Sequence, residues 1–175
     1  MSDASAAISD STSADEQADL VALARRLQEI FIERGLTLAT AESCTGGLIG
    51  HVLTEVPGVS DYYAGGLISY SNEVKQSGLG VDPHILETHG AVSAQTCVAM
   101  AEGARQRFGV SHAISVTGIA GPGGGSDSKP VGLTYVGVAD ANGHDVRRNI
   151  WQSDRHKNKL LSARAALELL LERLA

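Results

Sequence analysis

The chain has 175 residues, a formal net charge of −6 and a hydrophobic content of 43%. These values fit one ordinary globular domain with a core of its own. Residues 1–19 contain five acidic and no basic side chains, which leaves a net charge of only −1 on the rest of the chain. Because nucleic-acid-binding proteins usually carry a basic excess, we expect no direct nucleic-acid partner.

The residue types that hold metals or cross-link secreted proteins are sparse. Cys44 and Cys97 are too few for a disulfide framework and match no zinc motif. Six histidines are scattered without metal-ligand spacing, so we expect no bound metal and no cofactor. No apolar run reaches transmembrane length, and the N-terminus lacks the features of a signal peptide. We therefore predict a cytoplasmic protein that does not associate with membranes.

The N-terminal half contains helix and strand signals in alternation. Residues 1–13 are rich in Ser, Ala, Asp and Thr, which predicts a disordered tail before a single domain at 14–175. The predicted elements are a helix from a Ser13–Glu16 capping box to Gly35, a strand at 36–41, a helix ending near Glu55, a strand at 62–71 and a short helix from Asn72.

The C-terminal half continues the alternation and adds a hairpin. Its predicted elements are a short helix after Pro83, a helix from Ser93 to Phe108, a strand at 112–119, strands at 131–140 and 145–151, and a last helix from Ser153 or Asp154. Asn142-Gly143 predicts a type I′ turn between the last two strands. The pattern is typical of an α/β domain with helices on both faces of a mixed sheet.

Ser43 follows a predicted strand and precedes a helix, a position that suits a nucleophile. A side chain there faces amide N–H groups and the positive end of the helix dipole. The amides of Thr45, Gly46 and Gly47 could receive a developing oxyanion. The alternative is an N-cap serine in a tight turn, which position alone favours.

Cys44 competes with its neighbour for the nucleophile's role. A thiolate at a helix N-terminus is activated, but cysteine chemistry usually needs a histidine. The nearest one, His51, is expected on the same helix facing away. We therefore predict that Cys44 is a packed small residue.

Lys75 could act as the base for a serine if its amine were neutral. That requires burial or a neighbouring cation to lower its pKa, and Tyr70 could relay a proton or orient the amine. The chain has no S-x-x-K motif, and a solvated lysine on a short helix is the alternative. Spacing leaves both interpretations open.

The segment 118–125 is rich in glycine and follows a buried-looking strand. It matches neither the Walker motif nor the dinucleotide fingerprint. Its bare amides, at Gly118, Gly121, Gly123 and Gly124 in particular, could hold a phosphate or carboxylate. An ordinary flexible connection is the alternative.

Three segments together resemble one family. They are Ala41–Gly47 (AESCTGG), Tyr70–Lys75 (YSNEVK) and Thr117–Gly125 with Lys129–Gly132. In this order and spacing they resemble the C-terminal domain of the competence/damage-inducible CinA family. That domain also occurs alone as a nicotinamide-nucleotide amidohydrolase. The resemblance covers roughly Asp15 to Ala175.

The resemblance implies hydrolysis of nicotinamide mononucleotide to nicotinate mononucleotide and ammonia, as in pyridine nucleotide salvage. It implies a three-layer α/β/α sandwich with a mixed, mostly parallel sheet of about five strands. It also implies that Ser43 is the nucleophile and that Tyr70 and Lys75 assist it. We hypothesise that Lys75, aided by Tyr70, takes the proton of Ser43, while the glycine-rich loop and Arg155 contact the nucleotide.

The last motif departs from the family, which often reads G-D-R-E-x-I-R before the final helix. Here the segment 153–159 keeps Arg155 but has Lys159 in place of the second arginine. Lysine keeps the positive charge but cannot form the two parallel hydrogen bonds of a guanidinium.

Two other functions stay open on the sequence. One is a non-catalytic partner protein in competence or DNA damage, and the other is an amidohydrolase of another carboxamide. The apolar terminal helices would suit a homodimer, although core packing explains them equally well.

Overall fold

A computed structural model describes the backbone of residues 3–175 and the side chains of residues 15–175. Helices and strands alternate as predicted. The helices are α1 (Asp3–Glu33), α2 (Leu48–Thr54), α3 (Asn72–Leu79), α4 (Pro83–His89), α5 (Ala94–Phe108) and α6 (Arg155–Leu174). The strands are β1 (Leu38–Glu42), β2 (Tyr63–Ile68), β3 (His112–Gly118), β4 (Leu133–Asp140) and β5 (Gly143–Ile150).

The five strands form one mixed sheet in the order β2-β1-β3-β4-β5. β1 pairs in parallel with both β2 and β3, whereas β4 pairs antiparallel with β3 and with β5. Four strands therefore run in one direction and β4 runs against them. The predicted α/β class with a five-stranded mixed sheet is confirmed.

The sheet is covered on both faces by helices with aliphatic cores. Side chains of α1, α2 and α6 form the larger core on one face, and α3, α4 and α5 cover the other. The layers are therefore α/β/α, as the resemblance implied. Across the described residues, no helix is both long and apolar enough to cross a membrane.

The first helix starts earlier than the sequence indicated. It begins at Asp3, so the predicted start at the Ser13 capping box is wrong. Alanines at 4, 6 and 7 favour helical backbone and explain the extension. The side chains of residues 1–14 lie outside the described part, and a disordered tail at 1–13 in solution stays a prediction.

The β4–β5 hairpin exists, but its turn differs from the predicted one. Asp140 pairs with Gly143, so the loop residues are Ala141 and Asn142, not Asn142 and Gly143. A type I′ turn needs positive φ at both central residues, and no non-glycine residue in the described chain has one. The Asn142 amide instead donates to the Asp140 carboxylate at 2.7 Å, which stabilises a different turn.

The topology creates a crevice at one edge of the sheet. The chain leaves β1 towards β2 on one side and later returns to β3 on the other side of β1. Ligands of open α/β sheets bind at such a reversal, outside the carboxyl ends of the strands. The segments that follow β1, β2 and β3 therefore meet at this edge.

Candidate active site

A cleft of about 270 Å³ opens at the carboxyl ends of β1 and β3. It unites residues from all three motifs with the start of α6. The predicted site residues that line it are Ser43, Tyr70, Lys75, Gly118, Gly121, Gly123, Gly124 and Arg155. No carboxylate and no histidine is among the described residues that line the cleft, whose basic side chains are Lys75 and Arg155.

Ser43 and Lys75 touch in the interior of this cleft. Ser43 directly follows β1, and its amide donates to the Val116 carbonyl at 3.0 Å, which fixes it beside β3. Lys75 Nζ lies 3.1 Å from Ser43 Oγ. Lys75 is only 1% exposed, so the alternative of a solvated surface lysine is wrong.

The local fold of α3 directs Lys75 inward. The Ser71 hydroxyl accepts a hydrogen bond from the Val74 amide and caps the helix, as the residue types of N-caps predict. The Lys75 amide then donates to the Ser71 carbonyl at 3.1 Å in the first helical turn. This short, capped helix returns the lysine to the end of β1.

The surroundings of the Lys75 amine favour its neutral form. Burial lowers the pKa of Lys75, and no described carboxylate forms an ion pair with it. Its Nζ lies 2.6 Å from the Ser69 carbonyl oxygen and 3.4 Å from that of Tyr70. A neutral amine can donate its two N–H groups to these carbonyls, which leaves its lone pair for the Ser43 hydroxyl.

Cys44 also lines the cleft but is held as a thiol. Burial raises the pKa of Cys44 to about 12, far above the range in which a thiolate forms. His51 is exposed on α2 and contacts Gln17 and Glu55 instead. The packing role that the sequence predicted for Cys44 agrees with this environment.

The amides predicted to form an oxyanion site lie outside the cleft. Neither Thr45, Gly46 nor Gly47 is among its lining residues. The Gly46 amide donates to the Ser43 carbonyl at 3.1 Å, and the Gly47 amide donates to the Glu42 carboxylate at 3.0 Å. These two donors are therefore already used by the turn itself.

Glu42 is the residue that the sequence reasoning missed at this turn. Its carboxylate is 2% exposed and accepts from the amides of Gly47, Ile49 and Gly50 at 2.9 to 3.1 Å. It thereby occupies the positive end of α2, where Ser43 was expected. An acidic residue just before a helix start was the signal available in the sequence.

Tyr70 and Arg155 form a bridge at the rim of the cleft. The Arg155 guanidinium donates to the Gly121 carbonyl at 2.7 Å and to the Tyr70 hydroxyl at 3.3 Å. Tyr70 is 61% exposed, and the hydrogen bond between Tyr70 and Lys75 involves the backbone carbonyl rather than the phenol. The structure thus joins the Tyr70 side chain to Arg155.

The glycine-rich loop approaches its neighbours closely at several points. A β-carbon at Gly118 would lie 2.6 Å from the Leu133 carbonyl oxygen, and Gly121 and Gly124 have φ of +91° and +87°. These positions require glycine for steric reasons. The loop therefore forms a wall of the cleft, and its flexibility stays untested.

Asn158 and Lys159, on the first turns of α6, support the site from behind. Asn158 is buried, and its Nδ2 donates to the carbonyls of Ala120 and Ser153, both at 3.0 Å. The Lys159 ammonium lies 3.9 Å from the place that a β-carbon at Gly46 would occupy. Lys159 thus lies against the turn after Ser43 and not among the lining residues.

Comparisons with known proteins agree on one family. The sequence model of the CinA C-terminal domain matches residues 20–174. A competence-damage inducible protein of Moorella thermoacetica is 51% identical over 141 residues, which cover 81% of this chain and 34% of that protein. A CinA-like protein of Salinibacter ruber is 53% identical over 135 residues, or 77% of this chain and 33% of its own. The chain thus spans about a third of the length of these relatives.

Solved structures share the fold over nearly the whole chain. The competence/damage inducible protein CihA of Agrobacterium tumefaciens superposes with a TM-score of 0.86 at 44% identity, covering 88% of this chain and 94% of that one. A CinA superfamily protein of Escherichia coli superposes with a TM-score of 0.85 at 30% identity, covering 88% and 90%.

Proposed function

This chain belongs to the CinA C-terminal domain family, and we propose that it is an amidohydrolase that converts nicotinamide mononucleotide to nicotinate mononucleotide and ammonia. The observation that carries the proposal is the buried Lys75 amine 3.1 Å from the Ser43 hydroxyl. The names of the relatives refer to competence and damage, and the substrate comes from the family resemblance of the motifs.

In the first half of the reaction Ser43 would attack the carboxamide. Its Oγ forms a bond to the carbonyl carbon, its proton passes to the neutral Lys75 amine, and the π electrons move to the carbonyl oxygen. The intermediate then collapses: the C–N bond breaks, and Lys75 returns the proton to the departing nitrogen. Ammonia leaves, and an acyl ester on Ser43 remains.

In the second half water would release the acid. Lys75, neutral again, accepts a proton from a water molecule whose oxygen adds to the ester carbon. Collapse of this second intermediate breaks the bond to Ser43, which regains its proton from Lys75. The products are a carboxylic acid, which ionises, and the original serine.

The charge of the cleft supports an anionic substrate. Its lining includes the Arg155 cation and no described carboxylate, although the chain as a whole is acidic. Lys75 is committed to the serine, so Arg155 at the exposed rim is the group we assign to the nucleotide phosphate. We also propose the cytoplasm as the location, since two free cysteines suit a reducing compartment.

The test is to incubate the purified protein with nicotinamide mononucleotide and measure ammonia and nicotinate mononucleotide together. We expect the two products in equal amounts, with turnover lost in Lys75→Met and kept in Lys157→Met. Lys157 is a matched control because its ammonium pairs with Glu16 away from the cleft.

A folded wild-type protein without this activity would contradict the proposal. Ammonia release from another carboxamide in the same assay would identify a different amidohydrolase. Release from none of them would favour a non-catalytic partner protein.

A further inference from the structure

Two neighbouring peptides of the glycine-rich loop are fixed through their carbonyl oxygens. The Ile119 carbonyl accepts from the Gly132 amide at 2.7 Å, and the Ala120 carbonyl accepts from Asn158 Nδ2 at 3.0 Å. In a planar trans peptide the C=O and N–H groups point in opposite directions. The amides of Ala120 and Gly121, which belong to these two peptides, therefore point away from Gly132 and Asn158.

These two amides have no acceptor among residues 15–175. Ala120 and Gly121 nevertheless both line the cleft beside Ser43, and Ala120 is only 6% exposed. A backbone N–H at a cleft wall without a protein acceptor is free to donate to a ligand. Two adjacent donors of this kind indicate that an oxygen of the ligand accepts from them.

Of the three amides that the sequence suggested, Thr45 does not line the cleft and the other two are already used. The amides of Gly46 and Gly47 donate to the Ser43 carbonyl and to the Glu42 carboxylate. We infer that the oxyanion site consists of the Ala120 and Gly121 amides, and that Asn158 is the positioning residue that aims them. This inference rests on the proposed serine mechanism and replaces the amides that the sequence suggested.

The chemistry gives this pair a defined task. When Ser43 Oγ bonds to the carboxamide carbon, the π electrons move to the oxygen, which becomes negative. Two preorganised N–H donors stabilise this negatively charged oxygen more than they stabilise the neutral carbonyl oxygen of the substrate. In this proposal Asn158 contacts neither Ser43 Oγ nor the substrate oxygen. It holds the Ala120 carbonyl, so the N–H group of the same peptide, on Gly121, points in the opposite direction.

The environment of Asn158 suits a positioning residue. It is 1% exposed, and its Nδ2 makes both of its hydrogen bonds to carbonyls, those of Ala120 and Ser153. Its Oδ1 has no partner among the described residues. The buried side chain is thus used as a donor, which is what holding a carbonyl requires.

The experiment compares Asn158→Asp with Ser162→Ala. Aspartate keeps the size of the side chain but removes the NH₂ donor. Ser162 is a matched control because it is equally buried on α6. Its hydroxyl donates to the Asn158 backbone carbonyl and accepts from Trp151 Nε1, and it forms no hydrogen bond with the glycine-rich loop. Asn158→Ala, which removes the donor without adding charge, serves if the aspartate variant fails to fold.

Two readouts separate positioning from simple destabilisation. We expect kcat for nicotinamide mononucleotide to fall about 100-fold in Asn158→Asp while KM changes little. The affinity for pyridine-3-boronic acid, which mimics the tetrahedral intermediate once bound to Ser43, should fall in parallel. Ser162→Ala should keep the wild-type kcat and boronate affinity even if its Tm falls as far as that of Asn158→Asp.

Several results would overturn the inference. One is an Asn158→Asp variant that loses as much Tm as Ser162→Ala and has the same kcat and boronate affinity as that control. If the wild type binds the boronate through Ser43 but does not turn over the nucleotide, the proposed substrate is wrong. The boronate affinity of the variant then still decides the inference. A wild type that binds no boronate contradicts the serine mechanism and this inference together.

Discussion

Burial gives Lys75 its chemical character at the scale of the single residue. Its amine lies against two backbone carbonyls, with no described carboxylate paired to it, and burial lowers its pKa. The Ser43 hydroxyl is the remaining neighbour, at 3.1 Å. A lysine in this setting accepts a proton more readily at neutral pH than a solvated one.

The pH dependence of turnover should follow Lys75. Because its pKa is lowered, the neutral base becomes populated below the pH at which an ordinary lysine titrates. We expect kcat/KM to rise with pH through this lowered pKa and then to level off. The unfolded chain keeps an ordinary lysine, so stability should also rise with pH between the two pKa values. A rate profile that rises only at the pKa of an ordinary lysine would contradict this role.

The role of the Tyr70 hydroxyl can be tested with Tyr70→Phe. Since the phenol contacts Arg155 and not Lys75, its loss should raise KM about 2- to 10-fold, the effect of one hydrogen bond, and leave kcat nearly unchanged. Tyr63→Phe is the control, because that hydroxyl bonds Thr40. A loss of about 100-fold or more in turnover rate at unchanged KM would instead support the proton relay that the family resemblance suggested.

At the scale of the element, the start of α2 shows how a carboxylate shapes the turn that presents Ser43. Three amides at the helix N-terminus converge on Glu42, so the turn after β1 is closed by charge-assisted hydrogen bonds. The helix dipole is thereby used for structure, and the Lys75 amine is the group within hydrogen-bond distance of the Ser43 hydroxyl.

Replacing Glu42 with Gln should therefore weaken both the fold and the activity. The amide side chain loses the charge and presents an NH₂ group to backbone donors, so we expect a loss of about 2 kcal/mol in the free energy of unfolding. Activity should fall as well, because the turn holds Ser43. Urea unfolding beside Glu55→Gln, an exposed position at the end of the same helix, provides the comparison. Equal stabilities of the two variants would contradict this account.

Local signals predicted elements well where the determinants lie within a few residues. Ser93 caps α5 and α3 begins at Asn72, as the sequence indicated. The hairpin turn and the oxyanion donors could not be predicted in this way. The Asp140 side chain sets the turn, and the Glu42 carboxylate takes the Gly47 amide that the sequence had suggested for the oxyanion. Periodicity does not encode either contact.

At the scale of the whole molecule, the sheet order brings together segments that lie far apart in the chain. Ser43, Lys75, Gly121 and Arg155 come from four different segments and meet at one edge. The family resemblance implied the roles of Ser43 and Lys75, and the glycine-rich loop and Arg155 were named as a hypothesis for nucleotide binding. Sequence reasoning could not show that Lys75 is buried or that Asn158 supports the loop, since both depend on tertiary packing. The homodimer stays a prediction.

The opposite end of the sheet is held by an ion pair that makes the fold sensitive to acid. Arg173 on α6 donates to both oxygens of Asp140 at 2.9 Å and lowers the pKa of Asp140 to about 2. This stabilisation is complete above the unfolded value of 3.8 and is lost as the pH falls through about 2. Asp140→Asn should therefore cost about 2 kcal/mol at pH 7 and little near pH 2. An equal loss at both pH values in urea unfolding would contradict this assignment.

The proposed nucleophile is Ser43, and the initial rates of ammonia release from nicotinamide mononucleotide by Ser43→Ala and Cys44→Ala decide between it and Cys44. The two residues are neighbours in the same cleft, so each variant controls for the other. We predict that Ser43→Ala loses at least about 1,000-fold in rate and that Cys44→Ala keeps most of it. Activity retained in Ser43→Ala and lost in Cys44→Ala would contradict the account and make Cys44 the nucleophile.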